Sequence, residues 1–181
     1  TRTRLSFESA MNRLGGAVIG SEYAGEFSSA AKGETLEDSI RVVAGYADVI
    51  VIRHPEVGSA ERASLVSPVP VINAGDGAGQ HPTQALLDAY TIQRETGGLD
   101  GKKVALVGDL KNGRTARSLA YLLAKFTGVE IMLVSPKELA MGADIKEYLS
   151  GKGMTLTESE DLEGALAWAD IVYQTRIQKE R

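Results

Sequence analysis

Apolar and polar positions in this chain follow two periods, and the way those periods alternate predicts the architecture. Phe7, Ala10, Met11 and Leu14 fall at i, i+3, i+4 and i+7, which predicts a helix over 5–14 stopped by Gly15 and Gly16. A short strand is expected over 17–19. Thr35 followed by Asp38 resembles a capping box, and Leu36, Ile40 and Val43 give the helix behind it one apolar stripe. The β-branched run 47–52 reads as a strand buried on both faces. A short helix over 60–65 and a strand over 69–72 follow. Gly75, Gly77 and Gly79 then let the backbone turn before Pro82 opens a helix, which carries Leu86, Leu87, Tyr90 and Ile92 as far as Gly97. Beyond it the alternation repeats, with strands expected over 103–107, 129–134, 154–156 and 171–175 and helices over 114–126, 145–149 and 162–169. The predicted fold class is α/β, with parallel sheets in two consecutive domains bridged by the helix that begins at Pro82.

Composition narrows the chemistry. The 181 residues, 43% hydrophobic and 24% charged, can bury one large core or two small ones. A formal charge of −4 argues against a general nucleic-acid or anionic-membrane surface, so any anion site must be local. The chain has no cysteine, which excludes disulfides and thiolate metal sites; with only His54 and His81 as imidazole ligands, no metal is expected. No apolar run approaches the roughly 20 residues that cross a bilayer, and no signal-peptide pattern opens the chain. A cytoplasmic location without membrane contact is the expectation. The chain opens on Thr-Arg-Thr-Arg without methionine and stops just after an apolar run, which suggests an internal piece of a longer polypeptide.

Several polar positions fall where α/β folds bind ligands. Thr1, Arg2, Thr3 and Arg4 form the first turn of the first helix, where hydroxyl and guanidinium groups join free backbone N–H groups in a design suited to phosphate. The plainer reading is a capping threonine with solvated arginines. Arg53, at the carboxyl end of a strand, is a second anion candidate, and Lys32 in a loop adds little by itself. Gln80, His81, Thr83 and Gln84 stand between a glycine turn and a helix start; there His81 faces a ligand or merely satisfies nearby backbone groups. Gly108, Gly113 and Thr115 nearly spell a phosphate-binding P-loop, but Arg114 replaces its lysine and no Walker-B-like strand follows. Nor is the dinucleotide Gly-x-Gly-x-x-Gly spacing present. Arg114 at a helix start and Arg176 after a strand read better as two forks for one dianionic substrate. No side chain is an evident nucleophile poised by a base, so covalent catalysis is not indicated.

Together, Thr1-Arg2-Thr3-Arg4, Lys32-Gly33-Glu34, Arg53-His54-Pro55, Asn73-Ala74-Gly75-Asp76-Gly77, His81-Pro82-Thr83-Gln84, Gly108-Asp109-Leu110 with Gly113-Arg114-Thr115, and Thr175-Arg176-Ile177-Gln178 resemble the catalytic chains of aspartate carbamoyltransferases. The resemblance runs through essentially the whole chain, in order. It implies a carbamoyl-phosphate domain over 1–82, a bridging helix over 83–97 and a Rossmann-like L-aspartate domain over 98–181, the outer domains being partial. It also implies transfer of a carbamoyl group from carbamoyl phosphate to L-aspartate, an early step of pyrimidine synthesis, without a cofactor.

By the same resemblance, Thr1, Arg2 and Thr3 cradle phosphate, and Arg53 reaches phosphate and carbonyl oxygen. Thr3 and His81 donate to that carbonyl, and Gln84 meets the carbamoyl amide. Ser28 and Lys32 enter the site of a neighbouring subunit in a homotrimer, which in turn can join a regulatory chain. Arg114, Arg176 and Gln178 hold the L-aspartate carboxylates. Family chains continue on both sides, with a serine before Thr1 and a His-Pro-Leu-Pro loop after Arg181. The rivals are ornithine carbamoyltransferase, whose substrate has one carboxylate and suits twin arginines poorly, a non-catalytic anion-binding homologue, and a nucleotide-hydrolysing P-loop protein.

Overall fold

Strands with both neighbours in place bury side chains on both faces, and the second half of the chain is built on one. In the computed structural model, which describes residues 2–20, 33–77 and 79–175, β3 (Lys103–Val107) lies between β4 (Glu130–Val134) and β6 (Ile171–Gln174), with β5 (Thr155–Ser159) outside β4. All three pairings are parallel. Val104, Leu106, Ile131 and Leu133 point to one face, where they pack with residues of α4 (Pro82–Thr96), α5 (Arg114–Leu123) and α6 (Ala143–Gly151). Ala105, Val134 and Met132 point to the other, against Ala165 of α7 (Leu162–Trp168). The small Ala105 and Ala165 pair lets that helix lie close to the sheet. Gly97, left-handed at φ 76°, closes α4 as a glycine C-cap does.

The chain divides into two compact units, Thr1–Gly79 and Gln80–Arg181. The first contains α1 (Arg2–Arg13), α2 (Leu36–Val43), β1 (Ile50–His54), α3 (Ser59–Val66) and β2 (Val71–Asp76). β1 and β2 are parallel, and their apolar side packs on Ile40, Ala44 and Ala63 from the helices. Thr35 caps α2, its hydroxyl accepting from the Asp38 N–H at 3.2 Å, as the pattern predicted. The parallel α/β class expected from the sequence is the observed one.

Three local expectations fail. Residues 17–19 form no strand. The 47–52 strand begins later and runs on through Arg53 and His54, and it is not buried on both faces: Val51 is 39% exposed, and Ile72 beside it on β2 37%. Among the described residues this sheet has two strands with helices packed on one side, so the unbroken apolar run overstated the burial. In α1, Phe7 and Met11 are half-buried while Ala10 and Leu14 are exposed, so the described residues leave most of the predicted stripe uncovered.

Candidate active site

In the first unit, Arg53 leaves the carboxyl end of β1 and its guanidinium Nη1 donates to the Thr3 hydroxyl in the first turn of α1. Two candidates 50 positions apart in sequence are thereby brought together. Arg2 is exposed beside Thr3, at the helix end where unpaired N–H groups favour anions. Arg4 differs from expectation: its Nε lies 2.5 Å from the Glu8 carboxylate, an intrahelical pair one turn on.

The loop after Arg53 is held by the Asn73–Gly77 motif. Gly77 N–H donates to the His54 carbonyl at 2.8 Å, and the Asp76 carboxylate accepts from Gly58 N–H at 2.9 Å. His54 spends its Nδ1 on the Glu56 N–H at 3.1 Å, so it serves as a turn cap. Gly77 has φ 54°, and a Cβ there would sit 2.3 Å from the Pro55 carbonyl oxygen. Gly77→Ala is therefore expected to lower unfolding stability by about 2–3 kcal/mol, combining the left-handed backbone with a backbone clash. Chemical denaturation monitored by circular dichroism checks this.

In the second unit, β6 follows β5 in sequence but pairs with β3 on the opposite edge, so the strand order reverses between β3 and β6. Crevices of this kind, at the carboxyl ends of strands, are where open α/β sheets take ligands. The loop from Gly108 to Gly113 lies there. Gly108 has φ 115°, and a Cβ on it would approach the Thr175 carbonyl oxygen to 2.7 Å, so the two strand exits touch backbone to backbone. Asp109, fully buried, accepts from the Asn112 N–H at 3.0 Å and from its amide Nδ2 at 3.1 Å, folding the loop so that α5 begins at Arg114. Arg114 is half-buried at that helix start.

His81 precedes Pro82 at the start of α4, and its N–H donates to Ser118 Oγ at 2.8 Å, while Ser118 donates to Gln80 Oε1 at 2.6 Å. This serine on α5 fixes where the histidine backbone sits. The Thr83 hydroxyl lies 3.5 Å from His81 Nδ1, a contact whose direction is set by the ring tautomer. Gln84 Nε2 donates to Asp88 Oδ1 at 2.9 Å. Burial pushes the nearby Tyr173 phenol up to about 12; a hydrogen bond with Thr115 opposes the rise and the Asp88 carboxylate adds to it.

Thus Thr3 and Arg53 meet in the first unit, and His81, Gln84 and Arg114 sit on linked helix starts in the second. Thr1, Ser28, Lys32, Arg176 and Gln178 lie outside the described residues. Ser118, Asp88 and Tyr173 were not foreseen, although the i,i+4 spacing of Gln84 and Asp88 was a readable signal. Among the described residues no group of three or more His, Asp or Glu side chains is placed to hold a metal ion. Among them too, no helix is long and apolar enough to cross a membrane.

Anion-suited groups at strand exits and helix starts, on two parallel α/β units, place the chain in the class of parallel α/β proteins with candidate ligand positions at strand ends. The family is settled by comparison. Residues 1–94 match the carbamoyl-P binding domain of aspartate/ornithine carbamoyltransferases and residues 100–181 match the Asp/Orn binding domain. The chain belongs to the aspartate/ornithine carbamoyltransferase family. It is 66% identical over all 181 residues to aspartate carbamoyltransferase 1, chloroplastic, of Pisum sativum, covering 47% of that protein. It is also 58% identical to the aspartate carbamoyltransferase catalytic subunit of Methanocaldococcus jannaschii, covering 59% of it. The solved catalytic subunit from M. jannaschii superposes with a TM-score of 0.90 over all of this chain and 59% of its own. An aspartate transcarbamoylase from Trypanosoma cruzi in complex with carbamoyl phosphate and aspartate gives 0.88 at 44% identity, over 98% of this chain and 60% of that one. The chain spans about half the length of the plant relatives it matches.

Proposed function

We propose that the polypeptide carrying this chain transfers the carbamoyl group of carbamoyl phosphate to the amine of L-aspartate, giving N-carbamoyl-L-aspartate and phosphate. The observation that carries the reading is the Arg53 to Thr3 hydrogen bond: it joins the two positions at which the family pattern expects contact with the carbonyl oxygen of the donor. Thr1, Arg2, Thr3 and Arg53, with Ser28 and Lys32, are proposed for carbamoyl phosphate, His81 for its carbonyl and Gln84 for its amide. Arg114, Arg176 and Gln178 are proposed for the carboxylates of L-aspartate. Domain limits at 82 and 97, a homotrimer whose neighbours exchange Ser28 and Lys32, association with a regulatory chain, and a cytoplasmic location are proposed with it.

The chemistry asks for little beyond these groups. The neutral amine attacks the carbamoyl carbon, a C–N bond forms, and the C–O bond to phosphorus breaks with its electron pair leaving on phosphate. The departing phosphate can accept the proton that the amine loses. Charge grows first on the carbonyl oxygen, where Thr3, Arg53 and His81 would donate, and then on the phosphate oxygens, where Arg2 and Lys32 would. Binding two anions in reacting order supplies much of the acceleration.

A carbamoylation assay on the full-length polypeptide, offering L-aspartate and L-ornithine separately, is expected to give product from L-aspartate. Product from ornithine alone would overturn the reading. Binding of carbamoyl phosphate without turnover would favour the non-catalytic homologue, and ATP hydrolysis the P-loop rival.

A further inference from the structure

Gln84 and Asp88 lie one turn apart on the same face of α4. A glutamine amide has two chemically opposite ends, and what it offers a ligand depends on which end the protein holds. Here the partner is a carboxylate, which only accepts, so it captures the NH2 end and repels the carbonyl end. The contact at 2.9 Å leaves Oε1 directed away from Asp88. An ordinary exposed helical pair would need nothing more, but Asp88 is not an ordinary surface acid. Its Oδ2 is buried, away from the solvent that a surface carboxylate normally faces. Beside it stands the Tyr173 phenol of β6, kept neutral by burial and by the charge and hydrogen bonding of the carboxylate itself. The Asp88 side chain is therefore half-buried, between α4 and β6 near the strand-order reversal.

We propose that Asp88 is a positioning residue that locks the Gln84 amide with Oε1 outward, so that Gln84 accepts a hydrogen bond from the donor's NH2 and selects carbamoyl phosphate over acyl phosphates with a methyl group in that place. This rests on the carbamoyl-transfer reading and names what sets its donor specificity. A methyl group cannot donate, and an acceptor desolvated against it is left unpaired, which is the strong form of discrimination. Were the amide free to flip, its NH2 would face the ligand and the preference would fade.

The test is calorimetric titration of the full-length polypeptide with carbamoyl phosphate, acetyl phosphate and inorganic phosphate, in wild type, Asp88→Asn, Gln84→Ala and the double variant. Asparagine keeps the volume but can donate as well as accept, so it tolerates either amide orientation. Asp88→Asn is expected to reduce the preference for carbamoyl over acetyl phosphate by about three- to tenfold, with phosphate affinity unchanged and no further loss in the Gln84→Ala background. An unchanged preference, an equal loss for all three ligands, or additive effects in the double variant would overturn the proposal. Wild type that binds carbamoyl phosphate no better than inorganic phosphate would overturn the functional reading itself, and the proposal with it.

Discussion

Arg53→Ala is expected to lower turnover by about 10²–10³-fold, the scale seen when one preorganised donor to a developing oxyanion is removed. The side chain leaves the end of β1 and is oriented by Thr3, so it would meet the proposed carbonyl oxygen already fixed, without a cost of ordering at the moment of reaction. Arg53→Lys should recover little. An ammonium supplies the charge but lacks the planar fork that can serve a hydroxyl and two ligand oxygens at once. The Arg53 side chain is exposed, so both variants should keep wild-type unfolding midpoints, which separates a catalytic loss from a folding one. Steady-state assays at saturating L-aspartate read the effect. A loss under fivefold in Arg53→Ala would remove Arg53 from the carbonyl-oxygen role.

What the sequence made legible was governed by local rules. β3 was predicted to its end residues because an apolar segment flanked on both sides by strands is buried on both faces, and Val104, Ala105 and Leu106 are fully buried. The Thr35 cap and the proline start of α4 were legible for the same reason: each depends on a few adjacent residues. Strand ends were not. β1 continues through Arg53 and His54 because its backbone pairs with β2 as far as Asp76, with a register shift between Ile52 and His54, and no hydropathy pattern reports a ladder partner. The strand expected over 17–19 failed in the opposite sense, since apolar β-branched residues fit a strand but do not supply a neighbour. Of the candidate site, the polar and basic positions at strand exits and helix starts were readable from residue type and placement. Their supports were not: Ser118 holds His81 from another helix, and Tyr173 stands across from Asp88 from a strand far along the chain.

The second large effect is expected at Arg114. It occupies the first residue of α5, beside the strand-order reversal, where the helix dipole and its own fork both favour a carboxylate. Arg114→Leu keeps an apolar stem in the helix start and removes the charge. The half-saturating L-aspartate concentration is therefore expected to rise by about 10²-fold, as for loss of a charge-assisted bidentate contact worth about 3 kcal/mol. Carbamoyl phosphate should bind this variant as it binds wild type, because its proposed ligands lie at the α1, β1 and α4 positions. The split is what gives the test its meaning: Arg53→Ala should damage turnover at saturating L-aspartate, whereas Arg114→Leu should damage L-aspartate affinity first. The Asp109 carboxylate folds the loop onto Asn112, and helix content and unfolding midpoint measured beside the kinetics separate loss of a substrate contact from a change in the loop. Initial-rate measurements over a range of L-aspartate, with carbamoyl phosphate binding measured separately, decide it. A variant with unchanged L-aspartate dependence would show that Arg114 serves the loop and not the substrate.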